Sequence, residues 1–279
     1  MSRKEFALIG YPLGHSKSPE IHSKLFESAG IEGEYSCREI APDKLEDAFS
    51  ELRELDGYNV TIPHKTAIIP YLDKLDKRAA LFGAVNTVKN VKGKSVGYNT
   101  DCEGFLRALK GADIKLKGRV LILGSGGVSR MFAFESVLAG ADVTIAARNA
   151  ASALAIKKEI KEKTKKECRI ITLSTASGEY DLIINGTPVG MYPNVDESPI
   201  PKELVEKAGA VFDAIYNPKE TLFLRYARES GVKAINGLSM LVWQAAVAEE
   251  IWNGVSFGDA DVSSIIERLR DVNGVSNNE

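Results

Sequence analysis

Lys65 closes the stretch Tyr58-Asn59-Val60-Thr61-Ile62-Pro63-His64-Lys65, in which a strand-like run stops at a proline and a lysine follows at once. A lysine at a strand end can hold or hand over a proton, whereas on an exposed loop it is only a solvated charge. Similar punctuation recurs. Gly14-His15-Ser16-Lys17-Ser18-Pro19 places Ser16 and Ser18 between a strand and a helix start. Gly83-Ala84-Val85-Asn86-Thr87 and Gly97-Tyr98-Asn99-Thr100-Asp101 supply Asn86 and Asp101. In open α/β sheets ligands gather beyond the carboxyl ends of strands, so these residues, with Thr61, can converge on one cleft. Each also has a plainer reading: Ser18 as a helix cap, Asn86 and Asp101 as turn formers, Lys65 as surface charge.

A second kind of chemistry is written in Leu121-Ile122-Leu123-Gly124-Ser125-Gly126-Gly127-Val128-Ser129-Arg130. A buried strand runs into three glycines and then a helix, which is the setting of a dinucleotide-binding loop, with Ser129 in the third glycine's place. The glycines let backbone amides approach a pyrophosphate, and the helix N-terminus adds partial positive charge. An NAD site carries an acid about 20 residues beyond such a loop. Thr144 to Ala153 contains none and offers Arg148, which suits a 2′-phosphate. NADP is therefore expected over NAD, the alternative being a strand-end arginine that faces water.

The elements that would position these groups alternate. Phe6-Ala7-Leu8-Ile9-Gly10 reads as a strand. Ser18 to Gly30 reads as a helix, with Ser18 as its cap, Pro19 in its first turn and Gly30 at its close. Its apolar face holds Ile21, Leu25 and Ala29. A strand near residues 34–40 follows. A helix over 42–55 then carries the stripe Leu45, Ala48, Phe49 and Leu52, and a strand over 57–62 comes next. This βαβα order predicts a mostly parallel sheet. The pattern restarts near Asp101 with a helix, then strands over 118–124, 142–148, 180–186, 210–216 and 232–237, a helix that follows residues 124–130 and runs through Ala139, and a helix over 150–166. The lysine-rich outer face of the latter reads as a solvated surface. Two closing helices, with no strand left to pair, are expected to pack back on the first domain, and residues 273–279 to fray. The expected class is thus α/β with two domains. Residues 1–101 with 237–279 form the substrate and catalytic domain, and 102–236 a Rossmann-type domain.

The 279 residues carry a net charge of −2 and have 44% hydrophobic and 27% charged content, values of a globular protein rather than a nucleic-acid binder. No apolar run reaches the roughly 20 residues that span a bilayer. The N-terminus has a five-residue apolar stretch and no cleavage pattern, which predicts no secretory leader. Cys37, Cys102 and Cys168 are scattered and odd in number, which reads as reduced thiols in a cytoplasm. His15, His22 and His64 make no metal-ligand pattern. The sequence leaves monomer or homodimer open.

The motifs GHSKSP, NVTIPHK, GAVNT, YNTDCEGF, GSGGVSR, INGTPVGM, DAIYNP and NGLSMLVWQAA stand in an order and spacing that resemble the shikimate dehydrogenase family, from about residue 5 to 270. The resemblance implies reversible NADP-dependent reduction of 3-dehydroshikimate to shikimate, a step of aromatic amino-acid biosynthesis. It implies that Ser16, Ser18, Thr61, Lys65, Asn86, Asp101 and Gln244 form the substrate and catalytic set, with Tyr216 near the substrate. Gly124, Gly126, Gly127, Val128, Ser129, Arg130, Arg148, Ala214 and Gly237 correspond to its cofactor contacts.

Lys65 is expected to protonate the nascent alkoxide, and Asp101 to hold it in register. Burial disfavours a charged ammonium and a nearby carboxylate favours it, so the two demands oppose. His64 is expected to point away if the backbone stays extended. The chain departs from the family where Ala147-Arg148-Asn149 is followed by Ala150, Ala151 and Ser152, without the usual second base. It departs also at Lys77, where an acid is common, and at Ser125 and Ser129. A quinate/shikimate dehydrogenase using NAD, or a non-catalytic ligand-binding member, are the alternatives.

Overall fold

The computed structural model describes residues 3–14 and 16–272; His15 and the expected frayed segment 273–279 lie outside these. The chain divides into two compact units, Met1–Arg107 with Ser239–Glu279, and Ala108–Leu238.

In the first unit the elements run β1 (Lys4–Gly10), α1 (Ser18–Ala29), β2 (Gly33–Glu39), α2 (Leu45–Leu52), β3 (Gly57–Val60), α3 (His64–Ala67), β4 (Lys74–Leu75), α4 (Lys77–Phe82), β5 (Thr87–Val91) and β6 (Lys94–Tyr98). The strand order is β2-β1-β3-β5-β6-β4. β1 pairs in parallel with β2 and β3, while β5 is antiparallel to both β3 and β6. The β5–β6 hairpin turns at Lys92-Gly93, both at positive φ. This is the geometry a two-residue hairpin loop requires. Helix α5 (Asp101–Gly111) then carries the chain toward the second unit.

The second unit contains β7 (Arg119–Leu123), α6 (Gly127–Leu138), β8 (Asp142–Ala147), α7 (Ala150–Thr164), β9 (Arg169–Thr172), β10 (Leu182–Asn185), α8 (Lys202–Val205), β11 (Ala210–Asp213), α9 (Leu222–Glu229) and β12 (Lys233–Ile235). All five strand pairs are parallel, in the order β12-β11-β10-β7-β8-β9. This is the doubly wound pattern. β7 and β10 are almost wholly buried, hence their unbroken apolar runs.

Helices α10 (Leu238–Asn253) and α11 (Asp259–Val272) return to the first unit. Trp252 of α10 stacks on Phe6 of β1 at 4.7 Å between ring centroids, and its indole N–H donates to the Val88 carbonyl at 2.8 Å. One side chain thus fills the space over the sheet and satisfies its own polar atom.

Three local expectations change. Ser18 is not the cap of α1; Lys17 holds that position, and the Ser18 N–H donates to Ser16 Oγ at 3.2 Å. Pro19 already lies in the first turn, which pulls Ser18 into the helix. The third strand ends at Val60 rather than Ile62, and the backbone is helical from His64, not extended. The helix expected over 42–55 is a short tight turn, Pro42–Lys44, followed by α2.

Candidate active site

Lys65 sits in the single turn α3, held there by its own carbonyl, which accepts from Val85 N–H at 2.7 Å. Its ammonium donates to Asp101 Oδ2 at 2.6 Å. The two side chains are 34% and 21% exposed, so both are screened from bulk water while still reachable. The other carboxylate oxygen accepts from Asn86 Nδ2 at 2.9 Å, and the same amide reaches Thr100 Oγ1 at 3.0 Å. Thr100 N–H returns a bond to Asn86 Oδ1 at 2.7 Å. Asp101 is the first residue of α5, where a carboxylate is favoured by the helix dipole. The carboxylate therefore has a fixed orientation before any ligand arrives.

Gln244 reaches this group from α10, its Oε1 lying 3.4 Å from Asn86 Nδ2. A glycine makes that approach possible. A Cβ on Gly104 of α5 would lie 2.7 Å from the Met240 carbonyl oxygen and 2.8 Å from the Gln244 nitrogen, both backbone atoms. Only a bare Cα lets the two helices close to this distance.

Lys65, Asp101, Asn86 and Gln244 thus form one connected polar group. Ser16 and Ser18 stand at the start of α1, where hydroxyls and a helix N-terminus together suit an anion. Thr61 follows β3, its N–H bonded to the Ile9 carbonyl at 2.9 Å. His64, excluded above on the assumption of an extended chain, points away for another reason. Its ring is buried and Nε2 meets the Ile40 carbonyl at 2.6 Å. Tyr216 belongs to the second unit, and burial raises the pKa of its phenol.

In the second unit, Gly124 lies at φ 101° after β7, and Gly126 and Gly127 open α6. A Cβ on Gly126 or Gly127 would meet nothing within 4 Å. Both are exposed, so the loop leaves a free backbone approach of the kind a pyrophosphate needs. Val128 stands half-buried in the first turn. Ser129, by contrast, is buried, its hydroxyl donating to the Gly186 carbonyl at 3.1 Å, so its part is to tie α6 to the loop after β10. The Arg130 guanidinium is clasped by Glu159 of α7, Nε to Oε2 at 2.6 Å, and lies over the Phe134 ring.

Arg148 follows β8 and is exposed. It lines a cavity of about 520 Å³ together with Ala147, Thr172, Ser174, Thr187 and Glu197. Thr172 Oγ1 lies 3.1 Å from Ser174 Oγ and 2.9 Å from Thr175 Oγ1. The donor set beside the glycine loop, one cation plus neutral hydroxyls, fits a phosphorylated ribose. Ala214 and Gly237 abut through their backbones: a Cβ on Gly237 would lie 2.1 Å from the Ala214 carbonyl oxygen.

Sequence reasoning passed over several polar residues. Asn59, Thr87 and Thr100 read as strand or turn residues, yet all three are buried and bonded around Asn86. Asp213 read as strand filler. It is fully buried, accepts from Asn185 Nδ2 at 2.9 Å, Ile215 N–H at 3.1 Å and Thr221 Oγ1 at 2.6 Å, and burial raises its pKa to about 6 against these bonds. The one available signal was polar residues inside otherwise apolar strand runs.

The chain is similar to known proteins along most of its length. The family model described as the shikimate dehydrogenase substrate binding domain matches residues 8–88. Shikimate dehydrogenase (NADP(+)) of Caldanaerobacter subterraneus subsp. tengcongensis is 43% identical over 273 residues, 96% of each chain. A crystal structure of a shikimate dehydrogenase in complex with NADP+ superposes with a TM-score of 0.89 at 40% identity, covering 95% of each chain. The Thermus thermophilus shikimate 5-dehydrogenase structure, in complex with NADP(H) and shikimate, gives 0.86 at 38% identity over 95% of this chain and 99% of that one. The chain belongs to the shikimate dehydrogenase family.

Proposed function

We propose that this protein catalyses the reversible NADPH-dependent reduction of 3-dehydroshikimate to shikimate. The observation that carries the reading is the 2.6 Å contact between Lys65 and Asp101 inside a lattice of satisfied polar groups. A pair of opposite charges held ready at a strand end has no structural need to be reachable, and these are.

Bound NADPH would supply the hydride. Gly124, Gly126, Gly127 and Val128 would hold its pyrophosphate, and Arg148 its 2′-phosphate. Ala214 and Gly237 are read as further backbone contacts, with Ser129 and Arg130 acting through the loop and α7. Lys65 gives a proton to the substrate carbonyl oxygen as it gains negative charge, and takes it back in the oxidative direction. Asp101 holds the ammonium and a ring hydroxyl in register. General acid–base help of this kind is worth about 10²–10⁴ in rate. Ser16 and Ser18 receive the substrate carboxylate; Thr61, Asn86, Gln244 and Tyr216 read the ring hydroxyls. A site built to bond a hydroxyl rejects analogues lacking it, because its own buried groups are then left unpaired.

The test is absorbance at the reduced-nicotinamide band with purified protein, shikimate and NADP+. No shikimate-dependent reduction would overturn the reading. A second reading, NAD use by the same site with shikimate or quinate, is favoured by one observation: Arg148 is the only cation lining the described cavity. Running both acids against both cofactors separates the two. Among the described residues no helix is long and apolar enough to cross a membrane. The three free cysteines support a reducing cytoplasm.

A further inference from the structure

His22 of α1 and Glu249 of α10 form a polar pair that has no part in the reading above. Both side chains are wholly buried, and His22 Nδ1 lies 2.5 Å from Glu249 Oε1. Their surroundings are apolar. Phe6, Phe26 and Trp252 pack together here, the Phe26 and Trp252 rings 6.4 and 5.5 Å from the imidazole between centroids. Replacing both members of such a pair by apolar groups of the same shape can leave stability unchanged or raised. His22 Nε2 adds a cost of its own, since it has no hydrogen-bond partner among the described residues. Burial energy therefore does not account for the pair, whereas directionality can.

Each bond in the chain that ends at His22 has one sense. The Lys4 ammonium of β1 only donates, so the Asn253 atom 2.6 Å from it is the amide oxygen. Asn253 Nδ2 then donates to Glu249 Oε2 at 2.7 Å. The carboxylate accepts at both oxygens, and its second bond comes from His22 Nδ1–H. Tyr35 of β2 keeps the imidazole in that orientation. Its ring lies flat on His22 at 3.9 Å between centroids and 9° between planes, and its own hydroxyl is fixed on Asn59 Oδ1 at 2.7 Å. α10 is meanwhile fastened to the sheet, because Lys89 of β5 donates to the Ile251 carbonyl at 2.5 Å beside the Trp252 bond to Val88. Glu249 is thus a fixed point, and His22 reaches it from α1. What α1 carries makes that attachment matter. Ser18 opens the helix one turn before His22 and on the same face. Its N–H donates to Ser16 Oγ at 3.2 Å, so the two serines move together. The buried residues Ile21, Leu25 and Phe26 hold α1 down by apolar contact, which is non-directional.

We propose that His22 is a positioning residue: through its hydrogen bond to Glu249 it fixes where the first turn of α1 presents Ser16 and Ser18 to the substrate carboxylate. The inference rests on the assignment of those serines made above. The apolar residues of α1 supply its burial, and the His22–Glu249 bond supplies its register.

The experiment is calorimetric titration of shikimate, and separately of NADP+, into the wild type and His22→Phe/Glu249→Leu, where two apolar side chains replace the pair. Shikimate should bind about 2- to 12-fold more weakly, the worth of one net hydrogen bond. Affinity for NADP+ should not change, and kcat should stay within about twofold, because the serines act in binding and not in the chemical step. In a Ser16→Ala/Ser18→Ala background the same double change should cost nothing further, since effects routed through one contact are not additive. His22→Asn, whose amide can still donate to Glu249, should bind shikimate more tightly than the double variant does. Unchanged shikimate affinity in the folded double variant overturns the proposal, because packing alone would then place the serines. An equal loss with and without the serines, or a matching loss for NADP+, marks general loosening and overturns it too, as does His22→Asn that binds no better than the double variant. If the double variant does not fold, Glu249→Asp decides, since it keeps the carboxylate but withdraws it by one methylene. The same pattern of losses is expected there, and unchanged shikimate affinity overturns the proposal. Wild type that oxidises shikimate while these expectations fail sinks this inference alone; wild type that neither binds nor oxidises shikimate sinks it together with the functional assignment.

Discussion

The two candidate sites are built on opposite plans. Around Lys65 nearly every polar atom already has a protein partner: Asp101 takes bonds from Lys65 and Asn86, Asn86 from Thr100 and Thr87, and Thr87 from Asn59. Around the glycine loop the opposite holds. Gly126, Gly127 and Arg148 are exposed, and a side chain added at either glycine would meet open space. The first site is set in advance, as the proposed proton transfer would require, since it depends on alignment to within a fraction of an ångström. The second leaves its donors uncommitted, as backbone amides and one cation proposed to close on a large, flexible, charged ligand would require. On the function proposed above, chemistry would fall to a preset lattice and affinity to an open cradle.

This contrast can be broken at several points. The largest effect should follow Lys65→Met. Turnover should fall at least about 100-fold with little change in the shikimate KM, because the lysine acts in the transition state rather than in binding. Near-normal turnover in steady-state assays would remove Lys65 from its role. Next comes Asp213, whose folded pKa of about 6 lies above the ordinary value. The folded state keeps its proton longer than the unfolded chain. This group's contribution to stability is therefore full below about pH 4 and is lost as pH rises through 6, by about 3 kcal/mol in all. Asp213→Asn should flatten that part of the curve of unfolding free energy against pH, measured in denaturant from pH 4 to 7. A slope identical to wild type would contradict it.

In the open cradle the effects should be smaller. Arg148→Ala removes a charged contact worth about 1.5–3 kcal/mol, so the NADPH KM should rise 10-fold or more while that for NADH barely moves. Equal changes for both cofactors would mean that Arg148 does not read the 2′-phosphate. Smallest of all is Ser174→Ala, where loss of one neutral hydroxyl from the cavity should weaken 2′,5′-ADP binding by about two- to fivefold. A larger loss would show that the hydroxyls, not the guanidinium, dominate.

The second unit was almost fully legible because its strands obey simple rules. β7, β8 and β10 are buried apolar runs followed by glycine or a polar residue, β11 is one that ends in Asp213, and the glycine loop announces α6. β9, α8 and α9 escaped notice, the first being short and half-exposed, the second a single turn, the third opening in an irregular segment. The first unit was harder. β5 and β6 carry Lys89, Asn90, Lys94 and Ser95, which blur the period of two, and their turn uses Lys92 at positive φ where asparagine or aspartate would have signalled it. For the site, the motifs supplied Lys65, Asp101, Asn86 and Gln244, which the fold joins. The supporting layer of Tyr35, Asn59, Thr87 and Thr100 was invisible, since a buried hydroxyl in a strand looks the same in sequence as an exposed one. The supposed Ser18 cap failed for a similar reason. Whether a serine caps a helix or enters its first turn depends on one backbone angle, and here the Ser18 N–H is itself taken up by Ser16 Oγ.

The return of α10 to the first sheet has a consequence for biosynthesis. Residues 1–107 include every strand of that sheet, yet Trp252, Glu249 and Gln244 emerge only after the intervening residues 108–238. At about 5–20 residues per second on the ribosome, the nascent sheet waits roughly 7–26 s for its last helical cover. Until then Phe6 lacks its indole, His22 its carboxylate, and the amide of Asn86 its glutamine. The unit that holds the Lys65–Asp101 lattice is finished last, after the inserted second unit has had time to form.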